Sequence, residues 1–63
     1  MENKLKEYRE KKGMTQEELA AASGISRTTI SQVEGNAVTN LSLKTMQKLA
    51  NALGYKVKTI FLL

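Results

Sequence analysis

The sequence predicts an all-α fold built from short, individually capped helices. Three observations carry that prediction. Proline is absent, and the four glycines, Gly13, Gly24, Gly35 and Gly54, cut the 63-residue chain into pieces that each show helical spacing. Two of those pieces open on a Thr or Ser with apolar residues placed to flank a helix cap. A third carries an apolar stripe at the helical period.

Residues 2 to 12 place Leu5 and Tyr8 on one side and Glu and Lys elsewhere, which reads as a short amphipathic helix ended by Gly13. In the following MTQEELAAASG, Thr15 and Glu18 stand as a capping box: the Thr hydroxyl takes the amide three residues on, and the Glu reaches back to the cap amide. Met14 and Leu19 occupy the two positions of a hydrophobic staple. The second helix is predicted from Gln16 to Ala22 or Ser23, with Gly24 supplying the left-handed residue that stops it. GISRTTISQVEGN repeats the arrangement. Ser26 is the N-cap, Ile25 and Ile30 are the staple, and the third helix runs from about Arg27 to Glu34. Gly35 and Asn36 end it, since both tolerate positive φ. After a polar loop, Ser42 caps a fourth helix in which Leu43, Met46, Leu49, Ala50 and Leu53 form the strongest core stripe of the chain. The tail YKVKTIFLL changes period. Val57, Thr59, Ile60 and Phe61 favour a strand, with Tyr55, Val57, Thr59, Phe61 and Leu63 sharing one face.

A chain of 63 residues is one domain at most, here residues 1 to 63, and a domain this small is marginal alone. With no Cys and no His, neither disulfides nor the common zinc frameworks are available, so oligomerisation is the remaining source of stability. The formal net charge is +4. All the acids, Glu2, Glu7, Glu10, Glu17, Glu18 and Glu34, lie in the first 34 residues, while residues 35 to 63 carry Lys44, Lys48, Lys56 and Lys58 and no acid. That bias suits a polyanionic partner. No apolar run approaches the roughly 18 residues of a membrane span, and the first twelve residues lack the apolar core of a signal peptide. A soluble cytoplasmic protein with no membrane partner is expected. No His, Cys or Asp is present to build an activated nucleophile or a metal site, so no enzyme activity, metal or cofactor is expected.

The third helix is thinly hydrophobic. The second and third helices are separated by about three residues around Gly24, and two helices joined that tightly cross steeply, as in a helix-turn-helix, here over about residues 15 to 34. Ala20 is small enough for the crossing point. On a helical wheel Ile30 and Val33 lie within about 60° of each other and point at the neighbouring helices. Arg27, Thr28, Ser31 and Gln32 occupy the opposite arc, about 140° wide, with Thr29 between the faces. These are short or amide-bearing hydrogen-bonding side chains rather than the Glu and Lys of an ordinary solvated face. Arg bonds guanine O6 and N7, Gln bonds adenine N6 and N7, and Thr touches a thymine methyl, so the arc fits a major groove.

The stretches LKEYREKKGMTQEELAAASGISRTTISQVEG and LSLKTMQKLANALG resemble the lambda-repressor/Cro-like, or Xre, helix-turn-helix family over about residues 4 to 54. TQEELA, the turn glycine and TISQVE appear in order at the family's spacing. The resemblance implies a compact bundle of four or five helices that binds DNA, usually as a dimer, with the third helix in the major groove. Carried over by position, Arg27, Thr28 and Gln32 match base-reading residues, with Ser31 a weaker candidate. Gln16 matches a residue that clamps the phosphate backbone, and Ser26, Asn36, Thr39, Asn40 and Lys44 are placed for further phosphate contacts. The family also pairs an arginine of the first helix with the glutamate ending the third, here Arg9 and Glu34.

Two departures stand out. EGN replaces the family's usual Glu-x-Gly, in a loop without proline, and the tail shows no clear fifth helix. Some small relatives, including antitoxins of the HigA and HipB kind, end in a dimerising strand. By that analogy residues 55 to 63 are expected to pair with a second copy through Val57, Thr59 and Phe61, the alternatives being a short fifth helix or a frayed end. The implied function is a sequence-specific double-stranded DNA-binding regulator, most simply a repressor on a palindromic operator. The expected setting is a bacterial or phage-type cytoplasm, associated with the nucleoid. The alternatives are an antitoxin that binds a toxin and represses its own operon, or a restriction-modification controller.

Overall fold

The computed structural model describes residues 2–38 and 40–61. They form α1 (Leu5–Lys11), α2 (Gln16–Ser23), α3 (Arg27–Glu34), α4 (Leu43–Leu53) and α5 (Val57–Phe61). The helices are short, and side-chain caps hold three of them at the start. Thr15 Oγ1 accepts from the Glu18 amide at 3.0 Å, while Glu18 Oε1 accepts from the Thr15 amide at 2.8 Å. Ser26 and Ser42 each accept from the amide three residues on, both at 3.1 Å. Each such cap is worth about 1 kcal/mol, which matters in a helix of two or three turns. α1 begins at Leu5 rather than near residue 2, because the residues before it bond elsewhere. The Lys4 amide donates to the Ile60 carbonyl of α5 at 2.7 Å, and Asn3 Oδ1 accepts from the Leu5 amide at 2.9 Å.

The turn between α2 and α3 is set by Gly24, which takes φ 74° and donates its amide to the Ala20 carbonyl at 2.9 Å. A side chain at that φ is strained, so the glycine directs the chain into α3. At the other end of α3 the left-handed residue is Asn36, with φ 58°, while Gly35 stays at φ −84°. Asparagine can hold that position because it is among the few residues that visit this region routinely.

α2 packs against α3 and α4, α4 packs against α5, and α1 touches α3, α4 and α5. The core they enclose consists of Leu5, Leu19, Ile30, Val33, Met46, Leu49, Ala50, Leu53, Ile60 and Phe61. Met14 and Ile25, the outer halves of the two staples, pack against it from the edge. Leu43, read from the sequence as part of the α4 stripe, is 55% exposed. It lies roughly 70° from the centre of the stripe formed by Met46, Leu49, Ala50 and Leu53, outside the arc that meets the core.

The tail is the main correction. Val57–Phe61 is a helix, not a strand, and no strand occurs among the described residues. Ile60 and Phe61 are adjacent in sequence and both buried, at 0% and 1% exposure. A strand sends neighbouring side chains to opposite faces, whereas a helix separates them by only about 100°, so the helix alone puts both into one core. Packing thereby overrides the β-preference of Val57 and Thr59. Of the three residues expected to pair with a second copy, Phe61 is enclosed in its own chain's core, Val57 packs against that core, and half-buried Thr59 lies about 160° around the helix from Phe61. Leu63, on the same expected strand face, lies outside the described residues.

Candidate nucleic-acid interface

α3 presents two unlike faces. Ile30 and Val33 fix its back, with 0% and 1% of their surface exposed. Fully burying an aliphatic side chain contributes about 1.5 to 3 kcal/mol, enough to seat a helix that has little other apolar surface. On the outer side Arg27, Thr28, Ser31 and Gln32 are all exposed and line one shallow, open groove. Thr29 lies half-buried between the two sides, its hydroxyl accepting from Ser26 Oγ at 2.9 Å.

The C-terminal end of α3 is held by a buried charge cluster. Arg9 Nε donates to Glu34 Oε2 at 2.7 Å and Nη2 donates to Glu34 Oε1 at 3.2 Å, a bidentate pair with side-chain exposures of 10% and 5%. Arg9 Nη1 donates to the Met14 carbonyl at 2.6 Å, which ties α1 to the residue just before the α2 cap. The hydrogen bonds Arg9 donates to Glu34 hold its guanidinium above its ordinary value, against the opposing effect of burial. No buried side-chain polar atom among the described residues lacks a partner.

This cluster reaches the outer face of α3 through Gln16. Half-buried at the start of α2, Gln16 donates from Nε2 to Glu34 Oε1 at 3.0 Å and accepts from Arg27 Nε at 3.4 Å. The structure therefore brings Arg9, Glu34, Gln16 and Arg27 into one hydrogen-bonded chain. Ser26 is exposed, with its hydroxyl engaged at Thr29. Asn36 is exposed and accepts from Asn3 Nδ2 at 3.4 Å. Asn40 and Lys44 are exposed, Lys44 in the first turn of α4. Thr39 lies outside the described residues.

Two participants were missed in the sequence. Asn3 donates to the Val33 carbonyl near the end of α3 at 2.9 Å, a contact thirty residues apart that no local pattern announces. Glu17 pairs with Arg27, with Oε2 at 3.4 Å from Nη1. Its place beside Gln16 at the N-terminus of α2 was a signal only once the steep crossing of α2 and α3 was taken into account. Among the described residues no cluster of carboxylates could hold a metal ion, and no helix is long and apolar enough to cross a membrane.

The helix-turn-helix family model matches residues 5–60. The chain belongs to the Xre, lambda-repressor-like helix-turn-helix family. It is 44% identical over 62 residues to an uncharacterised HTH-type transcriptional regulator of Methanocaldococcus jannaschii, spanning 98% of this chain and 92% of the relative. It is 33% identical over 57 residues to the HTH-type transcriptional regulator SinR of Bacillus subtilis, spanning 90% of this chain and 51% of SinR. The chain thus runs nearly the length of the archaeal relative and about half the length of SinR. Its fold superposes on the crystal structure of SinR, the master regulator for biofilm formation, in complex with DNA. The TM-score is 0.84 at 34% identity, and the match covers 89% of each chain. It superposes equally on SinR in a complex with SinI, covering 89% of this chain and 54% of that one. This family membership places the protein in DNA-binding transcription regulation and not in catalysis.

Proposed function

We propose that the outer face of α3 lies in the major groove of double-stranded DNA and reads sequence there. The observation that carries this reading is the shared groove of Arg27, Thr28, Ser31 and Gln32, backed by the buried Ile30 and Val33. Arg27, Thr28 and Gln32 are the base-reading side chains and Ser31 an accessory one. Gln16, Ser26, Asn36, Asn40 and Lys44 hold phosphates, Gln16 with the Nε2 hydrogen that Glu34 does not use. The solved complex of SinR with DNA, a similar fold at 34% identity, supports the same use of this chain. The simplest regulator of this kind is a cytoplasmic repressor that binds as a homodimer to a palindromic operator. Its half-sites would lie about 34 Å apart, one turn of DNA.

In vitro selection from a random duplex library is expected to return a palindromic site. Against that site Arg27→Ala should cost roughly 1 to 3 kcal/mol and relax preference at one base position. Lys44→Ala should weaken all sequences alike and flatten the salt dependence by about one phosphate contact. Unchanged affinity and unchanged base preference in Arg27→Ala would refute the assignment of Arg27.

A second reading adds a protein partner, as in an antitoxin that also represses its own operon. The complex of SinR with SinI favours this class of reading, since a protein of the same fold is there bound to another protein. A small toxin-like reading frame beside this gene would support it, and an adjacent methylase or nuclease gene would point instead to a restriction-modification controller.

A further inference from the structure

Arg27 is not free in the unbound protein. It is the first residue of α3, and Gln16 and Glu17 are the first two residues of α2. The Gln16 amide is oriented by its bond to Glu34, so its oxygen faces Arg27 Nε at 3.4 Å. Glu17 Oε2 stands 3.4 Å from Arg27 Nη1. The guanidinium therefore already has a neutral acceptor on one edge and an anionic one at its tip. Those are the same two kinds of acceptor that a base edge and a phosphate offer. A bidentate contact to guanine O6 and N7 needs two donors of the fork together, and the Glu17 carboxylate stands as an ion-pair partner beside one of them.

We propose that Glu17 is an intramolecular competitor for Arg27: its carboxylate stands in for the DNA acceptor in the unbound protein and must be displaced when the helix enters the groove. The inference rests on the reading that Arg27 contacts DNA. Both side chains are more than 60% exposed, at 63% and 64%, so water and salt weaken the pair. Displacing an exposed pair of this kind lowers affinity by about two- to fivefold. Glu17 acts on affinity through Arg27 and makes no DNA contact itself. A carboxylate near DNA also repels phosphate on its own account, and only the dependence on Arg27 separates the two effects.

The test is a double-mutant cycle on the duplex selected by the unmodified protein, with Glu17→Gln, Arg27→Ala and the pair. Glutamine keeps the length and the helix position and removes the charge, and circular dichroism checks that every variant is folded. Glu17→Gln is expected to tighten binding about two- to fivefold, and the gain is expected to vanish in the Arg27→Ala background. An equal gain in both backgrounds would overturn the competitor role in favour of a plain surface charge. A loss of affinity in Glu17→Gln would overturn it as well, making the carboxylate a support that presents Arg27 to the groove. In either case the DNA reading would survive, because the unmodified protein binds its selected duplex. Failure of the unmodified protein to select any duplex would overturn both.

Discussion

Glu34→Ala is expected to cost about 3 to 5 kcal/mol of folding stability, the usual loss when one member of a buried ion pair is removed. The substitution leaves the Arg9 guanidinium, 10% exposed, with Nε and Nη2 deprived of their acceptor and only the Met14 carbonyl still bonded. Raising the pKa of Arg9 contributes stability that is fully present below its unfolded value and lost only as pH rises through the folded one. In the intact protein Glu34 raises it; in the variant that support is gone, but an arginine is not deprotonated in proteins, so at every working pH the stranded group stays charged. Gln16 loses its anchor at the same time, and with it the fixed path to Arg27. Against a total stability of about 5 to 15 kcal/mol for folded proteins, this loss removes a substantial share of the margin. Replacing both partners, Arg9→Met with Glu34→Leu, should restore much of it, because no buried charge is then left alone. Urea denaturation of the variants checks the pair, and a cost below about 1 kcal/mol for Glu34→Ala would mean the cluster is solvated like a surface bridge.

Phe61→Ala is expected to cost about 3 to 5 kcal/mol, the range for truncating a buried aromatic ring. The residue is 1% exposed within a single chain, in a core shared with Leu5, Leu49 and Leu53. The loss should therefore be the same over a wide range of protein concentration. Burial of Phe61 against a second copy would instead make the midpoint of unfolding depend on concentration. Thermal scans at several concentrations decide the matter, and a midpoint that rises with concentration only in the unmodified protein would contradict the placement of α5.

What could be read from the sequence was local chemistry. Thr15 with Glu18, and Ser26 and Ser42 with the amides that follow them, start helices through bonds spanning three residues, so their signatures are visible in any window. The two faces of α3 were legible for a similar reason, since Ile30 and Val33 stand apart from Arg27, Thr28, Ser31 and Gln32 at the helical period. The tail was misread because a run of five residues offers too little length to separate periods. Val57 and Thr59 then argued for a strand on propensity alone. The adjacency of Ile60 and Phe61 was the contrary signal. Gly35 and Asn36 were interchangeable on sequence grounds, and only the backbone shows that Asn36 takes the left-handed position. Asn3 and Glu17 acquire partners only through the crossing of helices, which no spacing rule encodes.

The central claim is that α3 meets DNA with the face formed by Arg27, Thr28, Ser31 and Gln32. Titrating the selected duplex into isotope-labelled protein and following the amide and side-chain NMR signals tests it most directly. The account predicts that the largest shifts fall on Gln16, Arg27, Thr28, Ser31 and Gln32 and that they diminish with a scrambled duplex. A different patch is available for contrast, where the Tyr8 and Tyr55 rings pack at a tilt of 56° with centroids 4.5 Å apart and Lys11 lies 4.8 Å over the Tyr8 ring. Shifts confined to Tyr8, Lys11 and Tyr55, with the α3 signals unmoved, would contradict the account.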